Sequence, residues 1–260
     1  MNYIEFIGPQ GAGKTTLIKK LTERRGKDSG WCTFDEAKND IAQNLKWRDL
    51  VTFEAKALKL INKLDLLNRK TSGISTKLLQ SSRGEENLEV KRKYEYLVDA
   101  QIRAIAELDM KISPINKLHL LEWHYQALDC IFLLEEFRYM KTVVMDEGPL
   151  KTHYGLNRID FNELIPETLP NAVIYTSIDT GLNVERIMAR FKKTNRLNRI
   201  HNKLNSDGIE EVTVKIHQIL ESNLSVIRKL KIPVLEIDLG VEIDKNCLEM
   251  VDEFIEEYSN

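Results

Sequence analysis

Residues 8–15 read Gly-Pro-Gln-Gly-Ala-Gly-Lys-Thr, and this stretch decides how the chain folds. It fits the P-loop pattern G-x-x-x-x-G-K-[ST] in full. Its glycines allow backbone turns that a Cβ atom would block, so successive N–H groups can point inward and form a concave anion site. Lys14 adds a positive charge within reach of nucleotide phosphates, and the Thr15 hydroxyl can bind Mg²⁺. The stretch therefore predicts a nucleotide-phosphate site.

The sequence on either side of the loop is what this motif requires, a strand before it and a helix after it. Tyr3–Ile7 is short, mostly apolar and rich in residues that favour strands. Leu17, Ile18 and Leu21 follow at helical spacing, and the N-terminus of their helix would direct its positive dipole end at the phosphates. The residues predicted to bind the nucleotide are Gly8, Pro9, Gln10, Gly11, Ala12, Gly13, Lys14, Thr15 and Thr16.

Further strands are predicted along the chain, with helical patterns between them. They are residues 31–34, 142–145, 172–178 and 233–238. Strands that alternate with helices indicate an α/β fold of three layers, in which helices cover both faces of a five-stranded parallel sheet. Such sheets bind ligands at the carboxyl ends of their strands. The P-loop and the acidic pairs at residues 35–36 and 146–147 each follow a strand, so we expect them to meet at one crevice.

A long, almost wholly helical region separates the second and third strands. We assign residues 1–47 and 141–260 to a nucleotide-binding core and residues 48–140 to a helical insertion. Apolar stripes mark its helices: Phe53, Ala57, Leu60, Ile61 and Leu64; Tyr94, Leu97, Val98, Ile102, Ile105 and Leu108; and a third between Leu120 and Leu134. Residues 71–89 read as a loop. The insertion is expected to roof the crevice and hold a second substrate; a role in packing alone is the alternative.

Acidic residues at two strand ends are the candidates for chemistry. Asp146 stands where this fold places the carboxylate that handles Mg²⁺. Glu147 could activate water, as in hydrolytic ATPases, or could precede substrate contacts, as in small-molecule kinases. A carboxylate at Asp35 or Glu36 could accept the proton of an attacking hydroxyl, and Glu36 is our first choice. The alternative for that pair is capping of a helix predicted at residues 37–45.

A basic segment follows the fourth strand. Its members are Arg186, Arg190, Lys192, Lys193, Arg196 and Arg199. Arg186 and Arg190 are four residues apart and share a helix face. Guanidinium groups near the transferring oxygens favour phosphoryl transfer, so the segment is interpreted as a lid that folds over ATP. A solvated basic helix or a patch for nucleic acid is the opposite interpretation.

Composition agrees with a globular enzyme and excludes some partners. The chain has 260 residues, 42% of them hydrophobic, and its formal net charge is −2, so no global attraction to nucleic acid or anionic membrane is expected. No apolar run approaches the length of a membrane span, and the N-terminus lacks the features of a signal peptide. The cysteines, Cys32, Cys130 and Cys247, have no metal or redox spacing. These observations predict a cytoplasmic protein.

In the order of its motifs, the chain resembles the P-loop kinases of small molecules, in particular the deoxynucleoside and thymidylate kinase group. The shared features are residues 8–17, the acidic pair after strand two, the long helical region, residues 146–148, and residues 185–190. The resemblance implies a sheet order of 2-3-1-4-5, Glu36 or Asp35 as general base, and Arg186 and Arg190 as lid arginines. Those kinases carry an arginine directly after the strand-three acid, where it helps bind the acceptor, and this chain has Glu147 there.

The sequence thus predicts an ATP- and Mg²⁺-dependent kinase that phosphorylates a hydroxyl of a nucleoside, nucleotide, sugar or polyol. The predicted catalytic residues are Lys14, Asp35, Glu36, Arg186 and Arg190, and the predicted metal ligands are Thr15 and Asp146. An ATPase that couples hydrolysis to conformational change and a nucleotide-binding regulator are the alternatives. The expected partner is the small-molecule acceptor, with a homodimer as an open alternative to a monomer.

Overall fold

The structure, a computed structural model, describes residues 1–26, 29–44, 88–109, 112–160, 162, 164–194, 201 and 204–259. Its strands are β1 (Tyr3–Ile7), β2 (Trp31–Thr33), β3 (Thr142–Met145), β4 (Ala172–Ser177) and β5 (Val234–Asp238). Its helices are α1 (Lys14–Arg24), α2 (Phe34–Asn44), α3 (Leu88–Arg92), α4 (Glu95–Ala106), α5 (Pro114–Glu136), α6 (Thr180–Thr194), α7 (Ser206–Lys229) and α8 (Lys245–Glu257). Short 3₁₀ turns lie at Leu156–Arg158 and Pro166–Thr168.

The strands form one parallel sheet in the order β2-β3-β1-β4-β5. The predicted strands and the order implied by the resemblance are therefore confirmed, with ends that differ by one residue in β2, β4 and β5. In the central strand, Glu5 is in register with Met145 of β3 and with Val173 of β4. Because β1 is central, the P-loop that follows it lies in the middle of the carboxyl edge of the sheet.

Both faces of the sheet are buried, as a parallel sheet requires. Tyr3 and Ile7 of β1 belong to a core that also contains residues of α4, α5 and α7. Ile4 and Phe6 point to the opposite face and pack with residues of α1 and α8. The alternation along β1 thus produces the three layers that the sequence predicted.

The described part of the helical region is helical, as predicted. It consists of α3, α4 and α5, which pack on the first face of the sheet. The stripe from Phe53 to Leu64 and most of the predicted loop lie outside the described residues, but residues 88 and 89 begin α3, so the loop prediction is wrong for them. Ile102 is about half exposed, so the second stripe is not buried along its full length. Among the described helices, none combines the length and apolarity that crossing a membrane requires.

Candidate active site

The P-loop takes the shape that its sequence predicts. It leaves β1 and enters α1, and Gly11 and Gly13 have φ angles of +86° and +114°, in the left-handed region that favours glycine. At Gly8 the constraint is space instead. A Cβ atom there would lie 2.1 Å from Thr176 Oγ1 and 2.4 Å from the Thr176 carbonyl oxygen. The loop is thus fitted closely against β4.

Side chains of helix α6 bind backbone carbonyl groups of the P-loop. The amide of Asn183, which is buried, donates a hydrogen bond to the Gln10 carbonyl (2.8 Å), and Nε2 of His217 lies 3.1 Å from the Asn183 side-chain oxygen. Arg186 donates to the carbonyls of Ala12 (3.0 Å) and Leu239 (2.9 Å). The Arg186 guanidinium therefore binds backbone carbonyl oxygens of the P-loop and of the segment after β5. A lid arginine would be expected to have its guanidinium free to reach ATP, and Arg186 does not.

The remainder of the basic segment is described only in part. Arg190 lies one turn beyond Arg186 on α6 and is exposed, as are Lys192 and Lys193. Arg196 and Arg199 lie outside the described residues. The structure thus describes two arginines of the predicted lid, Arg186 and Arg190, and of these Arg190 is the exposed one. Its role over ATP stays a prediction.

Lys14 is buried and folds back over the loop. Its ammonium group donates to the carbonyl oxygens of Gly8 (3.0 Å) and Pro9 (2.9 Å). Burial lowers the pKa of Lys14, and the nearby charge of Lys151 lowers it further, to about 7, although Asp146 and Glu147 act in the opposite direction. Phosphate oxygens in the loop would offer this ammonium the negative partners that favour its charged form.

Thr15 and Asp146, the predicted metal ligands, are in direct contact. The Thr15 hydroxyl donates to Asp146 Oδ2 at 2.6 Å. The other carboxylate oxygen, Oδ1, is buried and has no hydrogen-bond partner among the described residues. A hydroxyl and a carboxylate with one unsatisfied buried oxygen suit Mg²⁺. This ion takes few protein ligands and completes its coordination shell with water and phosphate oxygens. When bound, the metal would neutralise charge on the phosphates.

Glu147 turns away from this pair and enters a cluster that the sequence did not predict. Its Oε2 accepts a hydrogen bond from the indole N–H of Trp123 (2.8 Å), and its Oε1 accepts one from the Lys151 ammonium (2.9 Å). Lys151 also lies over the Trp123 ring, with its nitrogen 4.1 Å from the ring centroid. Burial raises the pKa of Glu147, but Lys151 and Lys14 lower it by more, and it stays below its usual value. Both carboxylate oxygens are therefore engaged by protein donors.

The chain between Glu147 and Lys151 is anchored by a carboxylate inside the sheet. Glu5, in β1, is fully buried and accepts hydrogen bonds from the backbone N–H groups of Leu150 (3.2 Å) and Lys151 (2.5 Å). A Cβ atom at residue 148 would lie 2.4 Å from the Glu5 Cδ atom, so glycine is required there for this approach. Burial raises the pKa of Glu5 to about 7, although the two N–H donors lower it. Glu5 is thus a positioning residue for the segment that carries Lys151.

Buried polar contacts continue the anchoring beyond Lys151. The Gln101 side chain donates to the Thr152 carbonyl (2.9 Å) and accepts from the Tyr154 N–H (2.7 Å). Asn223 of α7 donates to the His153 carbonyl (2.7 Å). Helices α4 and α7 therefore both hold the backbone of the segment that follows β3.

We expect Glu5 to make stability depend on pH in a way that can be isolated with Glu5→Gln. Its carboxyl has a pKa of about 7 in the folded chain and 4.5 in the unfolded one. A raised folded-state pKa stabilises the folded state below pH 4.5, and that contribution is lost as the pH rises through 7. The free energy of unfolding of the parent minus that of Glu5→Gln should therefore fall by roughly 3 kcal/mol between pH 4.5 and 7.5. Urea unfolding of both proteins at several pH values measures this difference. If the free energies of unfolding of the two proteins depended on pH in the same way, the prediction would be contradicted.

The Asp35–Glu36 pair lies in the first turn of α2, because that helix begins at Phe34, three residues before its predicted start. Thr33 and Glu36 form a reciprocal cap: the Glu36 carboxylate accepts from the Thr33 N–H (2.8 Å), and the Thr33 hydroxyl accepts from the Glu36 N–H (3.3 Å). Glu36 also accepts from Arg25 (2.6 Å). Burial raises the pKa of Glu36, but these donors lower it by more. Glu36 thus has a structural role here, whatever its part in chemistry.

Asp35 is freer than its neighbour. Its side chain is 69% exposed and forms an ion pair with Lys38 at 2.6 Å. Although the Lys38 side chain is only 14% exposed, a solvent-facing carboxylate in a single ion pair can reorient more easily than one in a cap. The assignment of a general base to Asp35 or Glu36 stays a prediction, and the contacts favour Asp35 over our first choice.

Comparison with known proteins adds little beyond the fold. No protein-family model and no curated protein matches the chain. A structure of deoxyadenosine kinase from M. mycoides with bound dATP is similar over 98% of this chain and 99% of its own, with 13% identity and a TM-score of 0.42. A shikimate kinase from Bacteroides thetaiotaomicron is similar over 98% and 97%, with 13% identity and a TM-score of 0.38. Both are kinases of small molecules, but at these identities and TM-scores the similarities carry no argument about activity.

Proposed function

We propose that this chain is a kinase that transfers the γ-phosphate of ATP to a hydroxyl group of a small molecule, with Mg²⁺ as metal. The P-loop, the Thr15–Asp146 contact and the central position of the loop in the sheet support nucleotide and metal binding. The acceptor classes that the sequence predicted, nucleosides, nucleotides, sugars and polyols, all offer such a hydroxyl. The helical region over the sheet is the proposed roof of the acceptor site.

The observation that carries this proposal is that the two acidic residues at the end of β3 have different partners. Asp146 faces Thr15, where it can serve the metal. Glu147, the residue that a hydrolytic ATPase would use to activate water, has both oxygens occupied by Trp123 and Lys151. Burial raises the pKa of Glu147, but these donors and the charge of Lys14 hold it below its usual value, so this carboxylate is a weaker base toward water. The arrangement supports transfer to an acceptor over hydrolysis.

In the proposed reaction, the hydroxyl oxygen of the acceptor attacks the γ-phosphorus, and the bond from that phosphorus to the β–γ bridging oxygen breaks. ADP leaves with the bridging oxygen, and the hydroxyl proton passes to a carboxylate, for which Asp35 and Glu36 are the candidates. Lys14 binds the β- and γ-phosphates, and α1 directs its N-terminus at them. Arg190, with the basic residues that follow α6, is the proposed lid.

ADP release tests the proposal. ATP and Mg²⁺ are supplied alone and then with pools of nucleosides, nucleotides, sugars or polyols, and one pool is expected to raise the rate well above the basal rate. Lys14→Ala is the control: its fold should persist, while the stimulated rate should fall by about 100-fold or more because a charge on the transferring group is lost. Fast ADP release that no pool stimulates would favour the ATPase alternative. Tight ATP binding without turnover would favour the regulator.

A further inference from the structure

Lys151 is a charged residue near the P-loop that has no role in the proposed reaction. Only 5% of its side chain is exposed, which is unusual for a lysine. Its ammonium group is held by two neighbours, the Glu147 carboxylate and the face of Trp123. Its backbone is fixed by Glu5. Both ends of this lysine are therefore positioned.

The position of Lys151 relates it to the phosphate site. A cavity beside the loop is lined by Gly8 and Gln10 of the P-loop and by Lys151, together with Trp123, His153, Tyr154, Ile216, Ile219 and Leu220. The ammonium group of Lys14 lies on the carbonyl oxygens of Gly8 and Pro9, and burial and the nearby positive charge of Lys151 lower the pKa of Lys14. An anion bound at the loop near both lysines would be attracted by both and would relieve their mutual repulsion.

We propose that Lys151 binds the γ-phosphate of ATP together with Lys14, and that Glu147 and Trp123 hold the Lys151 ammonium group for that purpose. This inference rests on the proposed use of ATP. It gives a role to Glu147, which follows Asp146 at the end of β3. The kinases that this chain resembles have an arginine at that position. In this chain Glu147 instead positions Lys151, four residues later.

The geometry explains why a lysine can do this. The ammonium group has three N–H donors, of which one is used by Glu147, so donors remain for phosphate oxygens. During transfer, charge spreads over the oxygens of the γ-phosphoryl group, and a cation fixed beforehand needs no reorganisation.

The test compares affinity for a nucleotide that has a γ-phosphate with affinity for one that lacks it. Dissociation constants for the β,γ-imido analogue of ATP and for ADP, both with Mg²⁺, are measured for the parent and for Lys151→Met, Lys151→Arg and Lys19→Met. Methionine keeps the length of the side chain and its contact with Trp123. Lys19, on α1, is 75% exposed and serves as the matched surface lysine.

We expect Lys151→Met to weaken binding of the ATP analogue by about 10- to 100-fold and to leave ADP binding within about twofold. Lys151→Arg should restore most of the difference, and Lys19→Met should change neither constant. An unchanged ratio of the two affinities in Lys151→Met would overturn the inference. That result, combined with a raised KM for the acceptor, would place Lys151 on an anionic group of the acceptor instead.

A second variant covers the case in which Lys151→Met does not fold because Glu147, whose side chain is 39% exposed, is left without its cation. The double variant Lys151→Met/Glu147→Gln neutralises both partners and should show the same selective loss for the ATP analogue. Equal losses for the two nucleotides in the double variant would also overturn the inference. If the parent binds both nucleotides and the Lys151 variants bind them with the same ratio of affinities, Lys151 fails as a γ-phosphate ligand while nucleotide binding stands. If the parent binds neither, the proposed function fails with it.

Discussion

Replacing Gly8 with alanine is expected to weaken ATP binding by about 100-fold or more, equivalent to about 3 kcal/mol. The added Cβ atom would lie 2.1 Å from Thr176 Oγ1 and 2.4 Å from the Thr176 carbonyl oxygen. The hydroxyl could rotate away, but the carbonyl belongs to the backbone of β4, which is paired with β1 and β5. The loop must therefore move, and its N–H groups no longer all point at the phosphates. Isothermal titration calorimetry with ATP and Mg²⁺ measures the loss.

Gly26→Ala is the matched control for this substitution. Apart from its chain neighbours, no described residue lies within 4 Å of the position that a Cβ atom would take at Gly26, so the affinity of Gly26→Ala for ATP should equal that of the parent. Thermal unfolding midpoints of both variants separate local loop displacement from loss of the fold. Gly8→Ala binding within threefold of the parent would show that the loop tolerates a side chain there, contrary to the close packing on β4.

Asp146→Asn is expected to remove most of the benefit of Mg²⁺. Asparagine keeps the shape and one oxygen to accept from Thr15, but it removes the negative charge that a divalent cation needs. ATP affinity with EDTA should match that of the parent, whereas the gain in affinity on adding Mg²⁺ should be largely lost, and transfer should slow by about 100- to 1,000-fold. Titrations with and without the metal test this directly. A variant that retains the full metal-dependent gain would exclude Asp146 from the metal site.

The fold was predictable because its signals are local. The P-loop specifies a strand, a turn and a helix within a few residues, and each apolar strand is bounded by turn or acidic residues. The start of α2 at Phe34 was also readable, because Thr33 and Glu36 have the spacing of a capping box. The capping alternative treats Asp35 and Glu36 as residues in front of a helix at residues 37–45, which begins three residues later than α2 does.

The contacts of the site were less predictable, since they depend on pairings between distant segments. Arg186 was recognised as functional, but its carbonyl partners at Ala12 and Leu239 follow from the packing of α6 behind the loop. Lys151 carries no motif, because its importance arises from Trp123 on another helix. Glu5 offered one signal, a charged residue inside an apolar five-residue strand, which a buried parallel strand contains only when a partner is present.

The destination of the γ-phosphate tests the central claim most directly. ATP labelled with ³²P at the γ-position is incubated with the protein, Mg²⁺ and the pool that most stimulates ADP release, and the products are separated by thin-layer chromatography. The proposed function predicts that the label appears in an organic phosphate ester in a one-to-one ratio with ADP, and that Lys14→Ala abolishes this product. Label that appears solely as inorganic phosphate, with every acceptor pool, would contradict the assignment of this chain as a kinase.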